Sequence, residues 1–158
     1  MVPLVRLATL RDLDAIMCVD TQIFEKPTYP RIVWRQYFDL YAPLLFVAET
    51  ESGEIAGYGV GAVAREERRG WILTMGVRGE SRRSRYGRQI VDCLIKSMGR
   101  DGATSVSLTV KPTNEPARRL YEGAGFAEVG SEPAYFGEGE PRLIYQIALA
   151  SRSKSLGR

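Results

Sequence analysis

Gly70-Trp71-Ile72-Leu73-Thr74-Met75-Gly76-Val77 is followed by Arg78-Gly79-Glu80-Ser81-Arg82-Arg83-Ser84-Arg85-Tyr86-Gly87-Arg88, and then by Gln89-Ile90-Val91-Asp92-Cys93-Leu94-Ile95-Lys96-Ser97-Met98. The first piece is an apolar run of strand length. The second is a basic turn. The third places Ile90, Val91, Leu94, Ile95 and Met98 at the spacing of an amphipathic helix. Strand, turn and helix bring three things to one point: unpaired N–H groups of a helix start, the positive end of its dipole, and cationic side chains. Such a point suits a phosphate. Gly87 lets the backbone come close to a ligand, and Arg82, Arg83, Arg85 and Arg88 can grip phosphate in a two-pronged way. The turn is neither a P-loop nor a dinucleotide fingerprint, because it lacks Gly-Lys-Ser/Thr and Gly-x-Gly-x-x-Gly. On the residues alone it reads equally as a phosphate site or as a solvated basic surface.

The whole chain has 158 residues, 44% of them hydrophobic and 26% charged. This is enough for one domain with a substantial core. Residues 1–150 are expected to form that domain, and 151–158 a basic flexible tail. The net charge is +3, and eight arginines between Arg65 and Arg88 concentrate the basic charge. The chain contains no histidine. This removes Ser-His-Asp and Cys-His nucleophile systems and most zinc sites. Cys18 and Cys93 lack metal-ligand spacing and read as buried apolar fillers, so no metal is expected. No run reaches the length of a membrane span, and the N-terminus lacks a signal-peptide core. The expected compartment is the cytoplasm.

Working outward, Leu4 to Ala8 reads as a first strand. Thr9 is placed as an N-cap with Asp12 three residues on, before a helical face of Leu13, Ile16, Met17 and Ile23. Pro27 and Pro30 interrupt it. A second helix is expected over Ile32 to Tyr41, with Val33, Tyr37 and Leu40 on one face. Leu44 to Glu49 and Ile55 to Ala64 form a hairpin across Glu51-Ser52-Gly53-Glu54. Gly57, Gly59 and Gly61 alternate in its return strand, which favours tight packing over close approach of a ligand. Beyond the central helix, Ser105 to Val110 alternates as a strand. Asn114 is placed to cap a helix with Pro116 at its start. Ala117, Leu120 and Tyr121 share a face of that helix. A strand beginning at Phe126, a polar loop and a last strand over Arg142 to Leu149 follow.

Asn114-Glu115-Pro116-Ala117-Arg118-Arg119-Leu120-Tyr121-Glu122-Gly123-Ala124-Gly125-Phe126 resembles the Asn-x-x-Ala-x-x-Leu-Tyr-Glu-x-x-Gly-Phe signature of the GCN5-related N-acetyltransferases (GNAT). Arg82 to Gly87 is similar to that family's acetyl-CoA motif, with Arg85 where its first glycine is usual. A residue other than glycine is tolerated there if φ is negative, its side chain turned from the pyrophosphate or clasping it. The resemblance covers nearly the whole chain. It implies an α/β (α+β) fold: a mixed, mostly antiparallel sheet of about seven strands flanked by about four helices, splayed between the fourth and fifth strands. It also implies transfer of acetyl from acetyl-CoA directly to a primary amine.

By the same resemblance, the backbone of Arg82, Arg83, Ser84, Arg85, Tyr86, Gly87 and Arg88 would hold the pyrophosphate. Met75 and Val77 would pair with the pantetheine like an added strand, and Asn114 would touch the cofactor arm. Tyr121 would be the general acid for the leaving thiolate, against a simpler reading as a packing aromatic. A general base is harder to name. In the ribosomal-protein-alanine branch a glutamate often stands where this chain has Thr109, which cannot serve. Glu49, Glu132 or an ordered water remain. Phe24 to Pro30 and Glu132 to Glu140 resemble the substrate loops of N-terminal acetyltransferases, which makes Phe24, Tyr29 and Tyr135 substrate-side candidates or plain loop anchors. The acceptor is expected to be an α-amino group of a protein or peptide, with a small amine or a non-catalytic acetyl-CoA-binding module as alternatives. A monomer or homodimer is expected, with no membrane partner. The arginine run lacks the interleaved aromatics and recognition motif of a nucleic-acid binder.

Overall fold

The structure is a computed structural model that describes residues 4–24, 29–79 and 85–150. Seven strands form one sheet in the order β1-β2-β3-β4-β5-β7-β6. They are β1 (Leu4–Leu7), β2 (Leu45–Glu49), β3 (Ile55–Ala64), β4 (Arg69–Val77), β5 (Ser105–Val110), β6 (Ala127–Glu132) and β7 (Arg142–Ala148). Four α-helices occur among the described residues: α1 (Leu13–Phe24), α2 (Arg31–Tyr41), α3 (Tyr86–Arg100) and α4 (Glu115–Gly123). Every neighbouring pair of strands is antiparallel except β4 and β5. This is the expected mixed, mostly antiparallel sheet. The C-terminal tail lies outside the described residues.

The β4–β5 pair is parallel and short. It runs from Arg69 opposite Ser105 to Trp71 opposite Ser107, although β4 continues to Val77 and β5 to Val110. Past Trp71 the two strands part, and the edge of β4 from Ile72 to Val77 loses its neighbour on that side. This is the splay anticipated between the fourth and fifth strands. A bulge marks the same stretch. Val60 faces Thr74 and Gly61 faces Ile72, so Leu73 is an extra residue. As a result Ile72 packs into one core and Leu73 against the other.

Those two cores lie on opposite faces of the sheet. Ile90, Leu94 and Met98 of α3 and Tyr121 of α4 belong to one, while Ile16, Val19, Trp34 and Phe38 of α1 and α2 belong to the other. The glycines of β3 explain how close α3 comes. A Cβ on Gly59 would lie 2.4 Å from Ile90 Cγ2, one on Gly61 3.3 Å from Met98 Sδ, and one on Gly70 of β4 2.6 Å from Met98 Sδ. The alternating glycines are therefore a packing trench for α3, as their spacing suggested.

Some local expectations need correction. Thr9 caps a single 3-10 turn, Leu10–Asp12, which leads directly into α1. Its N–H donates to Asp12 Oδ2 at 2.8 Å. The buried face of α2 is Trp34 and Phe38, and Leu40 is 68% exposed. Trp34, Tyr37, Phe38 and Tyr41 follow the same helical spacing one step round from Val33, Tyr37 and Leu40, and burial of the larger aromatic area decides the face. Cys18 is exposed and is not a core filler, whereas Cys93 is half-buried and packs against the α3 core.

Gly59→Ala is expected to lower the free energy of unfolding by about 1–3 kcal/mol, since the added methyl has to push α3 off the sheet. A denaturant midpoint equal to that of the natural chain would contradict the packing described.

Candidate active site

One cavity of about 380 Å³ opens where β4 and β5 part. Met75, Gly76 and Val77 form its floor, Arg85, Gly87 and Arg88 one wall, and Asn114, Ala117, Leu120 and Tyr121 the opposite wall. Ile23 and Phe24, at the end of α1, close it from the other face of the sheet. Residues far apart in sequence thus meet because the splay leaves a slot and α3 and α4 flank it.

The α3 wall is a helix start. The first helical bond runs from Gln89 N to Arg85 O at 3.1 Å, so the N–H groups of residues 86 to 88 have no partner within the helix. Together with the helix dipole they favour an anion. Gly87 is what keeps the slot open: a Cβ there would lie 3.1 Å from Leu120 Cδ2 and 3.7 Å from Val77 Cγ2. Tyr86 turns its side chain into the core, 8% exposed, and does not line the cavity. Arg82, Arg83 and Ser84 lie outside the described residues.

Arg85 is the N-cap of α3, with φ 65° and ψ 11°. The expectation of a negative φ is corrected here. The chain keeps the left-handed shape that a glycine would adopt freely, at a cost of roughly 1–2 kcal/mol for an L-residue. Arg88 has a different task. Its Nε donates to Asp92 Oδ1 at 3.0 Å and its Nη1 to the carbonyl of Gly123 at 2.7 Å. The second bond ties the start of α3 to the end of α4, so it fixes the width of the slot.

On α4, Asn114 Oδ1 accepts from Ala117 N at 3.3 Å, as an N-cap should. Tyr121 is 7% exposed and meets Phe126 edge-on at 5.9 Å. Burial pushes its phenol well above the ordinary value of 10.0, so it holds its proton at neutral pH. The helix is held at its outer side by Tyr145. The Tyr145 hydroxyl donates to Glu122 Oε1 at 2.8 Å and accepts from Arg118 Nε at 3.1 Å. Arg118 Nη1 also donates to the carbonyl of Pro112 at 3.1 Å. Glu122 is thus a positioning group beside Tyr121.

The remaining candidates are dispersed. Phe24 is 43% exposed and lies in the cavity wall. Tyr29 packs in an aromatic cluster with Trp34 and Tyr37, and Tyr135 pairs with Phe136; neither lines the cavity. Glu49 accepts from Arg6 Nε at 2.9 Å on the far part of the sheet. Glu132 is exposed at the end of β6. Neither carboxylate lines the cavity. Thr109 is half-buried on β5, opposite Ile144.

A buried polar pair behind the floor escaped the reading of the sequence. The Tyr58 hydroxyl donates to Asp20 Oδ1 at 2.5 Å, with Asp20 1% and Tyr58 0% exposed. Burial, and then that carboxylate, hold the Tyr58 phenol far above its usual range. A Cβ on Gly76 would lie 3.3 Å from Tyr58 Oη and 2.6 Å from Ile23 Cδ1, so the pair sits directly behind the cavity floor. The signal was present: Asp20 falls on the same helical stripe as Leu13, Ile16 and Ile23. Among the described residues, no group of three His, Cys, Asp or Glu could hold a metal ion, and no helix is long and apolar enough to cross a membrane.

Residues 10–126 match the model of the acetyltransferase (GNAT) family. The chain belongs to that family. An N-alpha-acetyltransferase of Sulfolobus acidocaldarius is 29% identical over 156 residues, covering 92% of each chain. Among solved structures, Ard1 from Thermoplasma volcanium superposes with a TM-score of 0.85 at 18% identity, covering 95% of this chain and 99% of that one. The NatC complex bound to Gag peptide and CoA contains a chain that matches with a TM-score of 0.84 at 21% identity, covering 95% of this chain and 100% of that one. The protein is an N-acetyltransferase of the GNAT fold and takes acetyl-CoA as acetyl donor. The cavity fits that donor: a helix start with free N–H groups stands beside an open strand edge, and Gly87 leaves the space between them.

Tyr145→Phe removes both bonds of the buried hydroxyl and is expected to cost about 1–2 kcal/mol of unfolding free energy. Urea denaturation measures it, and an unchanged midpoint would show that the network does not anchor α4.

Proposed function

We propose that this acetyltransferase modifies the α-amino group of a protein or peptide. The observation that carries the reading is the composition of one cavity. Its α3 wall suits a pyrophosphate, its floor is the unpaired edge of β4, and its α4 wall carries a buried, protonated Tyr121. Similarity along 92% of both chains to an N-alpha-acetyltransferase supports the α-amino acceptor. Ile23 and Phe24 at the other end of the slot give an apolar surface suited to the first side chain of a peptide.

The backbone of Met75 and Val77 pairs with the pantetheine amides, and the helix start holds the diphosphate. Asn114, its carbonyl oxygen engaged in capping, keeps its amide N–H groups for the cofactor arm. The neutral amine attacks the thioester carbonyl carbon. A backbone N–H near Val77 stabilises the developing oxyanion. The C–S bond then breaks, and Tyr121 gives its proton to the departing thiolate while the amine nitrogen loses a proton to water. The product is the amide and free CoA.

Tyr121→Phe is expected to lower kcat about 100-fold, with the calorimetric Kd for CoA unchanged. Equal turnover would remove Tyr121 from the general-acid role. Thiol release measured with peptides of varied first residue, against a panel of small amines and amino sugars, tests the acceptor. Peptides with a free α-amine should be turned over and their blocked forms should not. Turnover confined to the small amines would overturn the peptide reading.

A further inference from the structure

The buried face of α1 is apolar at Leu13, Ile16 and Val19, yet Asp20 follows them and is 1% exposed. A carboxyl group is costly in such a place unless it is hydrogen-bonded. Its Oδ1 accepts from the Tyr58 hydroxyl at 2.5 Å. Apolar side chains of the same volume would often hold the helix as firmly, so stability alone does not account for the two polar groups.

Their place beside the cavity does. Tyr58 and Gly76 stand directly opposite each other in the β3–β4 ladder, so they share the face that α1 covers. A Cβ on Gly76 would lie 3.4 Å from Tyr58 Cε1, 3.3 Å from Tyr58 Oη and 2.6 Å from Ile23 Cδ1. The phenol ring therefore lies across its bare partner and carries its hydroxyl to α1, and Ile23 fills the space over the same glycine. Gly76 belongs to the cavity floor, and Ile23 and Phe24 to its wall. Ile23 comes three residues after Asp20, on the same side of the helix. The last turn of α1 has no basic residue to meet its free carbonyls, and Phe24 is 43% exposed. Such a turn frays or slides unless a directional bond holds it from inside.

We propose that Asp20 and Tyr58 are positioning residues for the acceptor: their hydrogen bond fixes the turn of α1 that presents Ile23 and Phe24 to the slot, and so sets how strongly the enzyme distinguishes peptides by their first side chain. The inference rests on the α-amino reading given above. Neither residue lines the cavity, so both act through the wall and not on the reacting atoms. The wall meets the first side chain alike before and during acetyl transfer. Loosening it removes uniform binding, which changes KM for the acceptor and leaves kcat.

The test is steady-state kinetics of the full chain on two peptides that differ only in the first residue, methionine or glycine. The apolar wall should make the methionine peptide the better substrate of the natural chain. Tyr58→Phe keeps the ring and removes the donor. It should raise KM for the methionine peptide about ten-fold and reduce the preference over glycine by a similar factor. Turnover at saturating peptide and the calorimetric Kd for CoA should stay as they are. Asp20→Asn keeps an accepting Oδ1 and should retain both the KM and the preference. A mere loss of folded protein would lower turnover of both peptides equally and leave KM and the preference untouched; that result in Tyr58→Phe would overturn the assignment. So would a Tyr58→Phe variant equal to the natural chain, or an Asp20→Asn variant as impaired as Tyr58→Phe. A natural chain without preference would take the wall out of acceptor recognition and overturn it too. Failure of the natural chain to acetylate either peptide would overturn the α-amino reading, and this assignment with it.

Discussion

The close seating of α3 on the sheet is the constraint on which the rest of this structure depends. Ile90, Leu94 and Met98 lie in a trench made by Gly57, Gly59, Gly61 and Gly70. Side chains at those positions would lift the helix by more than the core can absorb, because packed interiors have little free volume to give. With α3 lowered, its first turn stands level with the end of β4, and Gly87 comes within reach of Val77 and Leu120. The anion site and the strand edge become two sides of one slot. A packing decision inside the sheet thus sets the geometry of a site at its end.

The second decisive feature is that β4 and β5 are joined over only three residue pairs. A parallel pair held so briefly leaves backbone donors and acceptors of β4 without strand partners, which is costly unless something else pairs with them. In the function proposed above, the partner is the ligand itself, since a pantetheine arm carries amides that can pair with a strand edge. The bulge at Leu73 serves the same end by sending Ile72 and Leu73 to opposite cores, which anchors the strand on both faces just before it parts from its neighbour. Arg88 and Tyr145 then hold the C-terminal end of α4, at Gly123 and Glu122, beside Tyr121.

Two buried polar pairs stand beside this arrangement. Asp20 and Tyr58 lie behind Gly76, and Tyr145 lies behind Glu122. An apolar core of equal volume would often be as stable. Their bonds are directional, and directional bonds fix the end of α1 and the face of α4 where general hydrophobic contact would allow sliding. Arg85 extends the pattern to the backbone, with strain accepted at the rim of the slot.

Much of this was legible in the residues. The period of 90, 91, 94, 95 and 98 determines a helix, because burial of one face is decided locally. The alternating glycines announce a strand that something packs upon. Asn114 and Pro116 determine a helix start, because the first turn has donors to satisfy whatever the surroundings. The Leu-Tyr-Glu and Gly-Phe signature, taken with the basic turn, determined the family. Tertiary structure decided the rest. The helical face of α2 was ambiguous, since Val33, Tyr37 and Leu40 satisfy the same spacing as Trp34, Tyr37, Phe38 and Tyr41; only the neighbouring strand chooses between two stripes. Arg88 is one of several alike in a basic run, and becomes a clamp only when Gly123 is brought beside it. Glu49 and Glu132 looked as suitable as any carboxylate until the sheet placed them away from the cavity. Local order follows from interactions within a few residues, which sequence displays. The role of a charge depends on partners tens of residues away, and those are set only when the chain has folded.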